Sequence, residues 1–147
     1  MLFLILVKSK CSHFFDKTKY NDYICCNTKK ENMSEKTKPT KLSECFKLLD
    51  NILSEAPDGD WFKEAEEDDA IAQSHHGLGT WIRNNWGLWE EDGMLHEYFT
   101  KLGLKHPDDM SGVILTSYHR HLNNKEIGLD EQIKCYIKFW KDEKSNK

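Results

Sequence analysis

A chain of 147 residues with 38% hydrophobic and 12% aromatic content is long enough for one domain with a real core. Its composition excludes a collagen-like, coiled-coil or wholly disordered class. The formal charge of −4 is unevenly spread. Residues 1–32 hold six Lys against three acidic residues, a balance of +3, which leaves 15 basic against 22 acidic residues, −7, from Met33 on. An acidic body argues against a dedicated nucleic-acid binder.

Three of the five cysteines, Cys11, Cys25 and Cys26, precede Met33, and only Cys45 and Cys135 follow it. Two unspaced thiols in the body fit a reduced, cytoplasmic protein better than a disulfide scaffold. No window approaches the roughly 18 apolar residues of a membrane span, so no membrane role is expected. The apolar start, Leu2 to Val7, is too short for a signal peptide, and Lys8 and Lys10 stand where small cleavage-site residues belong. Residues 1–39 are read as a disordered extension or a mis-assigned start, with Met33 the alternative initiator and a membrane-touching tail the competing view.

From residue 40 to 141 the pattern is that of an all-α domain. Thr40 is placed to cap a helix through Leu42, Cys45, Phe46, Leu49, Ile52 and Leu53, which Pro57 stops. Asp58-Gly59-Asp60 reads as a turn, and Trp61 and Phe62 as anchors that pin it to the core. The acidic run Glu64 to Asp69 suits the positive end of the next helix.

That central helix, Ile71 to Trp86, belongs to the stretch Ser74 to Trp89, which holds three of the five tryptophans and three glycines. At about 100° per residue, Ile71, Leu78, Ile82 and Trp89 fall on one inward stripe, with Trp81 at its edge. His76, Arg83 and Asn84 point outward. Gly77 and Gly79 cost a helix roughly 1 kcal/mol each, which implies a packing or functional reason for them. Gly87 reads as the stop, with Trp89 folding back onto the core.

Asp92 is placed to cap a short helix with Leu95, Tyr98, Phe99 and Leu102, closed by Gly103. His106-Pro107-Asp108-Asp109 is a helix start, with Pro at the first helical position and acids behind it. The fourth helix carries Met110, Val113, Ile114, Tyr118 and His121 on one face and ends at Asn123-Asn124. Leu129 to Trp140 forms the last helix, with Leu129, Ile133, Tyr136, Ile137 and Trp140 on its apolar face, and residues 142–147 are expected to fray. No stretch alternates like a strand. The expected architecture is a compact single-domain bundle of about five helices.

Two segments, Leu78-Gly79-Thr80-Trp81-Ile82-Arg83-Asn84-Asn85-Trp86-Gly87-Leu88-Trp89 and His106-Pro107-Asp108-Asp109-Met110-Ser111-Gly112-Val113-Ile114-Leu115, are long and rich in rare residues. Together with Ser117 to Leu122 they resemble a family of small bacterial proteins, the domain of unknown function 6794 type, over about Leu42 to Trp140. The resemblance implies a bacterial or mobile-element origin and a single domain, and supplies no mechanism.

The chemistry-bearing groups are few. His75, His76, His106, His119 and His121 with Asp108 and Asp109 are the candidate ligands for a metal, but adjacent histidines diverge by about 100° on a helix and no H-E-x-x-H or C-x-x-C is present. No metal and no cofactor are expected. His75 and His121 read as core histidines, and His106 as a brace at a helix entry. Neither Cys45 nor Cys135 has an activating motif, and no G-x-S-x-G, P-loop or dinucleotide fingerprint occurs.

Arg83 has two readings. With its aromatic neighbours it can grip a carboxylate, a phosphate or a base. Alternatively it pairs internally with Asp108 or Asp109 and ties the central helix to the fourth, the reading favoured here. At the level of function, the sequence points to a cytoplasmic adaptor that binds another protein through His76, Trp81, Arg83 and Asn84. The alternative is a ligand binder or enzyme with a pocket between the central and fourth helices, using Arg83, His106, Asp108 and Asp109.

Overall fold

A computed structural model describes residues 38–56 and 59–145, and the expectations for residues 1–37, for the turn at Asp58 and for the last two residues lie outside this set. Within it the chain is all-α: α1 Leu42–Glu55, α2 Gly59–Glu64, α3 Glu67–Ser74, a π-helical turn His75–Gly79, α4 Thr80–Asn85, α5 Met94–Lys101, α6 Pro107–Leu122 and α7 Leu129–Ser145. The five helices read from the pattern are present, and Gly59–Glu64 adds a short one that buries Phe62.

The local signals act in modified form. Lys41, not Thr40, occupies the N-cap of α1, while Thr40 donates from its N–H and Oγ1 to Glu44 Oε2 at 2.8 and 2.9 Å. This pulls the Glu44 carboxyl below its ordinary range, the Thr40 backbone bond being the larger cause and its hydroxyl the next. Gly93, not Asp92, caps α5. Pro107 opens α6 with Asp108 and Asp109 in its first turn, where the helix dipole favours negative charge. Helix α7 continues past Trp140 to Ser145 with each of its last side chains exposed.

Helix α6, rather than the tryptophan-rich stretch, is the hub. It packs against every other helix. Asp109 through Leu115 and Ser117 through His119 are all buried, so α6 is covered on nearly all sides. Its polar side chains then act as ties. Tyr118 donates to Asp50 Oδ1 of α1 at 2.8 Å, and Asn123 donates to the Lys63 carbonyl in the last turn of α2 at 3.0 Å. Arg120 clasps Glu67 of α3 with Nε at 2.9 Å and Nη2 at 2.7 Å. His119 is 1% exposed; its Nε2 lies 2.9 Å from the Ala65 carbonyl, which only accepts, so Nε2 carries the proton. Its burial makes His119, named among the possible ligands, a core histidine. The expected core histidine His121 is instead exposed, lying flat on Phe46 at 4.8 Å.

The core itself joins residues of α1 through α7, with Trp86, Tyr118, Phe62 and Phe99 its largest enclosed side chains. Burying a large apolar side chain contributes about 1.5–3 kcal/mol, so this one cluster dominates the stability of the bundle.

Candidate functional site

Helices α3 and α4 run on through the π-helical turn, since Ser74 and Thr80 both keep right-handed helical dihedrals. A π turn takes about one residue more than an α turn, so everything after it is rotated back by about one position. That rotation explains the main departure from the helical-wheel reading. Arg83, placed on the outward face by a uniform 100° step, is turned inward and is only 6% exposed.

Once inside, Arg83 is fully engaged. Its Nε lies 3.2 Å from Asp108 Oδ1, Nη1 donates to Ser111 Oγ at 2.8 Å, and Nη2 donates to Thr80 Oγ1 at 3.0 Å and to the His75 carbonyl at 3.4 Å. Burial draws the Arg83 pKa down and Asp108 opposes this. Gly79 makes room for it: a Cβ there would stand 3.2 Å from Arg83 Nη1 and 3.6 Å from Leu115 Cδ1. His75 sits 4.0 Å from the same Asp108 oxygen, with its pKa lowered by burial and then by Arg83. The Arg83 guanidinium lies between α4 and α6, the region where the alternative reading placed a pocket.

Asp108 and Asp109 part company at the start of α6. Asp108 turns to Arg83. Asp109, 9% exposed, turns to α7, where its Oδ2 accepts from Trp140 Nε1 at 2.7 Å. Burial raises the Asp109 pKa, and the Trp140 bond works against that rise. The His106 ring stacks on Trp140 at 4.2 Å and 26°. Tyr136, one turn before Trp140, lays its hydroxyl over Gly112, where a Cβ would stand 2.6 Å from it. Desolvation, with Asp109 the next cause, pushes the Tyr136 hydroxyl up to about 12. These side chains line a cleft of about 220 Å³ between α6 and α7. The sequence reading found His106 and Asp109 but treated Trp140 and Tyr136 only as core residues. Their i,i+4 spacing on α7 was the available signal.

The tryptophan turn makes a different surface. Gly87, with φ +71°, reverses the chain after α4 in a conformation that an L side chain rarely adopts. Trp89 therefore leaves the helical line on which it was placed, and is 57% exposed instead of folded onto the core. Its Nε1 donates to Asn84 Oδ1 at 3.0 Å, so the indole is held rather than free. Trp81 is half-buried, edge-on to Trp86 at 5.8 Å, and His76 is exposed, edge-on to His75 at 4.8 Å. Of the seven expected site residues, Arg83 thus meets Asp108 and His106 lies by Asp109, while Asn84 and His76 are exposed and Trp81 is half-buried. Among the described residues no three His, Cys, Asp or Glu side chains gather to hold a metal ion, and no helix is long and apolar enough to cross a membrane.

The fold and these surfaces define a small all-α protein built around one buried helix and an arginine joint. The family model described as Domain of unknown function (DUF6794) matches residues 38–122, and the chain belongs to that family. Both motif segments fall inside the match, while α7, which completes the cleft, lies beyond it. No curated protein and no solved structure matches the chain.

Proposed function

We propose that this protein is a cytoplasmic accessory or adaptor protein that binds another protein through the turn carrying Trp89. The observation that carries the reading is the exposed Trp89 indole clamped by Asn84. Tryptophan is the residue type most enriched at interface hot spots, and an indole fixed before binding loses little rotamer freedom when it docks. Glu90, Glu91 and Asp92 follow it on the exposed turn, with Glu90 held by Lys38 at 3.0 Å. The partner surface that this fits is an apolar pocket with basic groups at its rim. Arg83 leaves the proposed interface, because its donors are spent inside the fold.

The test is affinity purification of the tagged full chain from its host, followed by titration of the purified partner against the wild type and Trp89→Ala. A loss of about tenfold or more in affinity at an unchanged melting temperature supports the reading. Equal affinity for the two proteins would exclude Trp89 as the anchor.

A further inference from the structure

The cleft between α6 and α7 lies on a different surface from Trp89 and has the chemistry of a ligand site. Asp109 uses only Oδ2 within the protein, and its Oδ1 makes no hydrogen bond to a described residue. The Tyr136 hydroxyl likewise has no hydrogen-bond partner there, although its ring is pressed against α6 at Gly112. Both groups open onto the cleft, so a molecule bound there can use the hydrogen-bonding capacity that the fold leaves unused. Lys105, Lys141 and Lys144 also line the cleft, exposed and without ion pairs to described residues. Leu104 and Ile137 add apolar surface to the lining.

These groups ask for complementary parts in one compact molecule. Asp109 asks for a donor, best a cation. The lysines ask for an anion, and Leu104 and Ile137 ask for hydrocarbon. The cleft volume of about 220 Å³ is below the range of drug-sized pockets. We propose that this cleft binds a free α-amino acid with an apolar side chain, its ammonium on Asp109 and Tyr136, its carboxylate toward Lys141 and Lys144. A plain anion would leave Asp109 repelling it from inside, and a plain cation would face the lysines. The amphoteric molecule satisfies both.

Trp140 supplies the readout, because its indole N–H is bonded to Asp109. Isotope-labelled full-length protein is titrated with L-leucine, with 4-methylpentanoate, which lacks the ammonium, and with isoamylamine, which lacks the carboxylate. The expected result is a saturable shift of the Trp140 indole N–H resonance with L-leucine below about 10 mM, and affinities weaker by about tenfold or more for the two fragments. Asp109→Asn weakens L-leucine by at least the same factor, and Lys141→Ala with Lys144→Ala, both on exposed residues, weakens it without changing the fold. Trp89→Ala leaves the titration unchanged, which separates this site from the docking surface. The proposal is overturned by no shift with L-leucine or L-phenylalanine at that concentration. It is equally overturned by 4-methylpentanoate binding as well as L-leucine, which would mark simple anion capture, or by full affinity in the lysine double variant.

Discussion

Arg83 Nε lies 3.2 Å from Asp108 Oδ1, and the two side chains join the end of the central helix to the first turn of α6. The pair is asymmetric: the Arg83 side chain is 7% exposed and the Asp108 side chain 56%. The arginine is therefore the member that the fold depends on, with Ser111, Thr80 and the His75 carbonyl sharing its remaining donors.

Replacing Arg83 by Leu strips the charged donor from Ser111, Thr80 and Asp108 together. The expected cost is about 2–3 kcal/mol, below the full value for a buried pair because the Asp108 left behind is open to water. That corresponds to a fall of about 10–20 °C in melting temperature for a domain of this size. Arg83→Lys keeps the charge, loses the fork of donors and falls in between. Thermal unfolding of the three proteins checks the order.

Two carboxylates with opposite shifts set the acid side of the stability curve. Glu67 is held below its ordinary range first by its hydrogen bonds to Arg120, so its contribution is present above the unfolded value of about 4.3 and lost as pH falls through the folded one. Asp109 is raised by burial, so its neutral form favours the fold below the unfolded value of about 3.9, and that advantage is lost as pH rises through the folded value. Glu67→Gln is expected to be less stable than the wild type at pH 7 by about 0.5–1 kcal/mol, the difference closing in acid. Asp109→Asn, which still accepts from Trp140, is expected to be the more stable protein at pH 7, with its advantage also closing in acid. Melting temperatures from about pH 3 to 7 decide both signs.

Gly112→Ala places a methyl group 2.6 Å from the Tyr136 hydroxyl and forces α7 away from α6. The expected loss is about 1–3 kcal/mol, reduced by the helix preference of Ala over Gly of about 1 kcal/mol. Tyr136→Phe in the same chain removes the colliding atom and recovers part of it. Denaturant unfolding of the two single variants and the double one gives the coupling.

The helices were readable because α1, α5, α6 and α7 obey a simple 3.6 period, and because Pro107 and the positive-φ Gly87 and Gly103 mark ends by sterics alone. After Gly79, Ile82 and Asn84 keep the faces expected of them, and Arg83 does not. A single π turn rotates Arg83 from the solvent side to the core, and periodicity carries no mark of where the extra residue enters. The pairing of Arg83 with an acid at the start of α6 was foreseen from charge alone, but adjacent Asp108 and Asp109 could not be told apart. Which of them meets Arg83 depends on the side of α6 that α7 covers. The α6–α7 cleft was missed because its carboxylate and its two aromatic partners stand about 30 residues apart and only tertiary packing joins them.

The most direct test of the adaptor account is a photo-reactive phenylalanine analogue at position 89, irradiated in growing cells, with the same analogue at exposed Asp130 as the control. The account predicts one discrete covalent adduct from position 89 and none from position 130, the captured protein then binding Trp89→Ala about tenfold or more weakly. Adducts of equal yield from both positions, or an aromatic at 89 that captures nothing, would contradict it.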